Sequence, residues 1–182
     1  MQCPVARSLE RVGEWWSILI LRDAFAGMRR FDEFQKSLNI APNILTRRLT
    51  ALVDAGMLAR RLYCERPPRH EYVLTERGRD FGPVLISLQA WGNRHFAPEG
   101  LSVMLVNART GVAAEPILVD RLTGQPITDA THKNAPGPAA GARVKKRLGT
   151  SRKASQQTSR TAPAPPTAGT KRTRRTSPGR RS

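Results

Sequence analysis

The sequence predicts a mostly helical α+β domain with one small β-hairpin, continued by a β-rich extension and a disordered basic tail. Three observations lead there. Apolar residues recur at helical spacing through residues 4–55. Two short apolar runs, 57–64 and 70–74, flank a Pro-Pro pair as the arms of a hairpin would. From about Thr131 the chain has no aromatic residue and no carboxylate side chain, and Ala, Pro, Gly, Ser, Thr, Lys and Arg dominate it. Such a stretch buries too little apolar surface to offset the entropy of ordering.

The elements follow in order. Residues 4–12 place Val5, Leu9 and Val12 on one helical face, with Pro4 suited to the first turn and Gly13 as the stop. Residues 14–26 are apolar nearly all round (Trp15, Trp16, Ile18, Leu19, Leu21, Ala24, Phe25), which marks a central core helix closed by Gly27. Asp32 is expected to cap a third helix that ends at Leu38. A turn over Asn39–Ala41 leads to Pro42, which opens a helix over 42–55. In that helix Leu45, Leu49, Leu52 and Val53 form an inward stripe, and Gly56 ends it. Strands are expected over 57–64 and 70–74, with 65–69 (ERPPR) excluded because paired prolines remove donors. Thr75 is expected to cap one long helix over 76–96. Beyond Ala97, strands are expected at 101–106, 115–119 and near 125–128, joined by the turns ARTG and DRLTG. No internal repeat is read. The organisation is therefore a domain over 1–97, an extension over 98–130 and a tail over 131–182.

Charge is divided unevenly. The chain of 182 residues holds 31 Lys+Arg against 14 Asp+Glu, a net charge of +17. Residues 1–129 hold 17 of the basic residues and all 14 acidic ones, so the remaining 14 basic residues fall in 130–182. A polycation of this kind binds polyanions by releasing counterions, and nucleic acid is the first candidate. The tail lacks the apolar face that membrane attachment needs. The longest apolar run, Trp15–Leu21, is far too short to span a bilayer, and no signal peptide opens the chain. Cys3 and Cys64 are too few for a disulfide framework or a structural zinc site, which fits a reducing, cytoplasmic setting.

The order helix, helix, helix, turn, helix, hairpin, helix is that of a winged helix-turn-helix domain. The 42–55 helix then enters the major groove of double-stranded DNA and offers it Asn43, Thr46, Arg47 and Thr50, with Arg48 on the flank. Arg60 and Arg61 start the wing, and Arg66 and Arg69 flank its tip, where an arginine can approach the minor groove or its phosphates. Any one of these arginines read alone is a solvated surface residue; the arrangement is what points to DNA.

The opening Cys-Pro, the Gly13–Trp16 helix start, RFDEF, the leucine spacing ending in DAGML, and PPRHEYVLTERG together resemble the HxlR family of bacterial regulators over about residues 3–96. The resemblance implies a homodimer on a pseudo-palindromic operator, with dimer contacts at Val5, Leu9, Phe81, Val84, Leu88 and Trp91. It also places Cys3 where sensing members carry a reactive cysteine. A thiol at a helix N-terminus gains thiolate character, so redox or electrophile sensing through Cys3 is one reading and simple packing the other. Cys64 reads as a small packed residue. Two departures stand out. Ala41 replaces a capping hydroxyl, and Thr110, Asp120 and Thr123 stand where some members have ribbon cysteines, so the extension resembles a ribbon without its metal.

No catalytic order is present: His70, His95 and His132 are scattered, and no phosphate loop, metal spacing or Ser-His-Asp set occurs, so neither an enzyme nor a cofactor is expected. Two readings compete for the DNA-binding protein. One is an operator-specific regulator, a repressor rather than an activator, with the tail adding non-specific affinity. The other is a nucleoid-architecture protein driven by the tail. The effector is left open.

Overall fold

The computed structural model describes residues 3–149. It divides into two units, residues 1–134 and 135–182. The first carries α1 (Pro4–Val12), α2 (Trp15–Phe25), α3 (Phe31–Leu38), α4 (Pro42–Asp54), β1 (Leu58–Glu65), β2 (Pro68–Leu74), α5 (Glu76–Arg79) and α6 (Gly82–His95). The mostly helical fold with a two-stranded antiparallel wing is the one the sequence predicts.

The core gathers around α2, which touches α1, α3, α4, α6 and β2. Ile20 and Leu21 of α2 meet Phe34 of α3, Ile40 of the turn and Leu45, Leu49 and Leu52 of α4, all fully or almost fully buried. Burying one such side chain stabilises the fold by roughly 1.5–3 kcal/mol, so the α4 leucines alone fix that helix firmly against α2.

Three local expectations are corrected. Asp32 is not the cap of α3. Arg30 occupies that position, and the Glu33 carboxylate reaches back to accept from the backbone N–H groups of Arg29 (2.8 Å) and Arg30 (2.9 Å). Asp32 lies inside the first turn, where its charge still favours the helix dipole. The prolines do not interrupt the hairpin. Glu65 pairs with Pro68, so the connection is only Arg66-Pro67, whose peptide bond is cis. Pro68 is the first residue of its strand, a position that tolerates the missing donor. Finally, the helix expected over 76–96 is two helices. Pro83 has no N–H for the Arg79 carbonyl and its ring crowds that turn, so α5 ends at Arg79 and α6 begins at Gly82.

The junction between α4, the wing and α5 is held by the segment Thr75–Arg79. Gly56 closes α4 with φ +67°, a conformation that favours glycine. The Thr75 hydroxyl donates to the Gly56 carbonyl (2.6 Å) and accepts from the Gly78 N–H (3.0 Å), which caps α5 as expected. Arg77 donates to the Ala55 carbonyl at 2.9 Å, covering the C-terminal end of α4. Gly78 is buried directly under the Met57 carbonyl, with no room for a Cβ.

The extension has no strands among the described residues. The expected pairings shrink to two isolated bridges, Val106↔Ala113 and Val119↔Pro126. Each closes one copy of the same turn, Val-Asn-Ala-Arg-Thr-Gly at 106–111 and Val-Asp-Arg-Leu-Thr-Gly at 119–124, so an internal repeat does exist. It escapes a sequence scan because only four positions in each copy matter. Asn107 Oδ1 accepts from the N–H groups of Arg109 (2.9 Å) and Thr110 (3.1 Å). Asp120 Oδ1 accepts from Leu122 N–H (3.0 Å), and its Oδ2 accepts from the Thr123 hydroxyl at 2.7 Å. The Thr123 and Leu122 donors and nearby His132 hold the Asp120 carboxyl below the usual range. At the positions compared with ribbon cysteines, side chains thus hydrogen-bond within their own turns.

In the second unit, residues 142–149 are helical where the tail reading expects disorder. Ala, Leu, Lys and Arg in that stretch favour a helix. The rest of the expected tail, 150–182, lies outside the described residues.

Gly78→Ala should lower the stability by about 2 kcal/mol or more, since the new Cβ must displace backbone; thermal denaturation measures it. Glu33→Gln should cost about 0.5–1 kcal/mol at neutral pH through the weakened cap, less where solvent screens it. The backbone donors of Arg29 and Arg30 lower the Glu33 pKa from its ordinary value. The wild type's advantage should therefore be full above the ordinary carboxylate pKa and fade as pH falls through the folded value.

Candidate nucleic-acid interface

The same periodicity that buries Leu45, Leu49 and Leu52 turns Asn43, Thr46, Arg47 and Thr50 outward, and all four are exposed. No side chain caps α4 at Ala41, as the sequence predicts. Asn43 Oδ1 instead accepts from Ile44 N–H at 2.9 Å, which leaves the amide NH2 to donate outward. The hydroxyls of Thr46 and Thr50 donate back to the carbonyls of Pro42 (2.8 Å) and Thr46 (2.9 Å). Their protons are committed to the helix, so their outward character is a lone pair and a methyl group. A lone pair accepts from a base amino group, and a methyl packs on thymine. Arg47 supplies the strong cationic donor of this face.

Arg48 stands apart. Its side chain is only 15% exposed and pairs with Glu14 at 2.8 Å, joining α4 to the residue that precedes α2. It braces α4 instead of lying open on it.

The wing extends the basic surface. Arg60, Arg61, Arg66 and Arg69 are all exposed. Arg60 Nη2 lies 3.0 Å from His70 Nδ1 across the strands. Arg61 lines, with Arg29 and Arg79, a cavity of about 250 Å³ at the wing base that has no carboxylate in its lining. The register slips between Leu62 and Cys64, which leaves Tyr63 as the bulged residue. The Arg30 guanidinium sits 4.9 Å from the Tyr63 ring, a cation–π contact that ties the start of α3 to the wing. The sequence alone does not single out Arg29 and Arg30. Their signal in the sequence is an Arg-Arg pair just before α3, like Arg47-Arg48 and Arg60-Arg61, but nothing in the sequence places it beside the wing.

Of the residues expected at a dimer contact, Val5, Leu9, Val84, Leu88 and Trp91 are exposed, while Phe81 packs partly on the core. Cys3 occupies the position before α1, half-buried, and neither it nor Cys64 forms a disulfide. Among the described residues no group of His, Cys, Asp or Glu could hold a metal, and no helix is long and apolar enough to cross a membrane.

Comparison with known proteins decides the family. The family model for the HxlR-like helix-turn-helix matches residues 11–100. An uncharacterised HTH-type transcriptional regulator of Mycobacterium tuberculosis, Rv3095, is 40% identical over 141 residues, 77% of this chain and 89% of that relative. The chain belongs to the HxlR-like helix-turn-helix family. A solved structure from Pseudomonas aeruginosa, described as a transcription factor, is 52% identical with a TM-score of 0.59, over 80% of this chain and all of that one. A shorter relative, the HTH-type transcriptional regulator YtcD, is 35% identical with a TM-score of 0.50, over 52% of this chain and 97% of its own. This HxlR-like chain is thus a transcriptional regulator with a helix-turn-helix DNA-binding fold, and residues beyond the winged domain are shared with some relatives and not with others.

A Glu14→Gln, Arg48→Met double-mutant cycle in thermal denaturation should return a coupling of about 0.5–1 kcal/mol, because one partner is largely exposed. Zero coupling would remove the bracing role of Arg48.

Proposed function

We propose that the protein is a homodimeric repressor that reads a pseudo-palindromic operator. α4 enters the major groove with Asn43, Thr46, Arg47 and Thr50, and the wing arginines hold the adjoining backbone. The observation that carries this reading is the division of α4 into a fully buried leucine stripe and an exposed polar face, with exposed arginines on the hairpin that follows it. Arg47 reaches a base edge or phosphate, Arg66 and Arg69 approach the minor groove, and Arg60, Arg61, Arg29 and Arg30 neutralise phosphates. The exposed apolar side chains of α1 and α6 meet a second copy. Regulation without catalysis, in the cytoplasm on the nucleoid, completes the reading. The basic residues after 130 add affinity that is indifferent to sequence.

That same basic excess favours a second reading, in which the tail dominates and the protein shapes the chromosome. Salt separates the two, since tail-driven binding weakens steeply and equally on all sequences. A thiol-sensor reading rests on Cys3 alone and is not preferred.

Arg47→Ala should weaken operator binding by about 1–3 kcal/mol and leave non-specific binding nearly unchanged. Fluorescence anisotropy on operator and scrambled duplexes across a salt series measures both. Equal losses on the two duplexes would mean that Arg47 touches phosphate only, and no loss would move the reading face elsewhere.

A further inference from the structure

α6 is 14 residues long and contains no buried residue, although Val84, Ile86, Leu88 and Trp91 lie along it. The extension that follows is in the same condition. None of its residues is buried, and Leu101, Val103, Met104, Ile117, Leu118 and Leu122 are all more than half exposed, Leu122 at 88%. It has no core of its own. Side-chain bonds to α6 tether it: Asn93 to the Val103 carbonyl (2.9 Å), a long Gln89 bond to the same oxygen (3.5 Å), and an Arg94–Glu115 ion pair (3.1 Å). Exposed apolar surface on this scale marks an interaction site.

We propose that the extension is a second half of the dimer interface, in which the apolar side chains of one protomer's extension cover the partner copy. The inference rests on the dimer reading above and adds a surface to it. Three observations select a second copy as the occupant. First, charge argues against DNA. Residues 98–130 hold Glu99, Glu115, Asp120 and Asp129 against Arg109 and Arg121, so this part is net acidic in a strongly basic chain. Second, Ile86 and Ala90 of α6 and Leu101, Leu105 and Pro116 of the extension line one cavity, so apolar surface runs from α6 onto the extension and a copy docked on α6 reaches both. Third, the large exposed apolar side chains of α1 and α6 are few (Val5, Leu9, Val84, Ile86, Leu88 and Trp91, with Phe96 just after α6), so a stable interface of roughly 800 Å² per partner gains from the further apolar side chains of the extension. A two-fold axis makes the arrangement reciprocal, each extension covering the other copy. The relatives agree with a separable module, since YtcD covers 52% of this chain with 97% of its own length, whereas the Pseudomonas structure covers 80% of this chain.

Sedimentation equilibrium of the full chain tests this with two sets of variants. Leu122→Asp, and Ile117→Asp with Leu118→Asp, alter exposed positions that the fold of the monomer does not use. Each should raise the dimer dissociation constant about tenfold or more, the loss expected of an interface anchor, with an unchanged circular dichroism spectrum. Leu88→Asp on α6 tests the dimer reading itself. If Leu88→Asp dissociates the dimer and the extension variants do not, the inference is overturned, the dimer reading stands, and the extension faces another partner. If the unaltered chain is monomeric throughout, both fall.

Discussion

The whole presentation of this molecule depends on the burial of three leucines in α4. Leu45, Leu49 and Leu52 are completely shielded from solvent against Ile20, Leu21 and Phe34. A helix has one rotation about its axis that buries such a stripe, and that rotation decides which residues face outward. Asn43, Thr46, Arg47 and Thr50 are exposed because the leucines are not. A change at a core leucine would cost about 2–5 kcal/mol and would also turn or loosen the exposed polar face. On the proposed reading, stability and recognition are therefore one constraint at this helix.

A second set of contacts transmits that constraint to the wing. The chain leaves α4 at Gly56, runs out and back through β1 and β2, and returns under its own starting point. There Thr75 bonds Gly56, Arg77 bonds Ala55, and Gly78 fits beneath the Met57 carbonyl. The wing is thus anchored at both ends of its base to the C-terminal end of α4. Arg30 on Tyr63 adds a third tie, from the start of α3 to the bulge in β1. The arginines at the wing tip inherit their position from these fixed points. Local hydrogen bonds in the two extension turns have a different character, since they close the turns themselves and tie them to no buried core.

Much of this was legible in the sequence, and the gaps have physical causes. The four first helices, the αα turn and the hairpin could be read because leucine spacing, Gly56 and the proline pair each act within a few residues. The outward face of α4 followed from the same spacing. Arg48 shows where such reasoning stops. Its place on the helix flank is visible in sequence, but Glu14 lies 34 positions away and only folding brings the pair to 2.8 Å. The split between α5 and α6 follows from Pro83, but the apolar stripe that runs on through it masks the break. The extension's strands failed for another reason. Alternating apolar residues promise a strand only where a partner edge exists, and each of these turns brings back a single bridge.

The central claim is that the polar face of α4 selects particular DNA sequences. Genome-wide capture of fragmented DNA by the purified full-length protein at near-physiological salt tests it most directly. The account predicts a small number of sharp peaks that share an inverted repeat, with half-sites about one helical turn apart. Broad, even coverage with no shared repeat would contradict it and leave the basic tail as the source of binding.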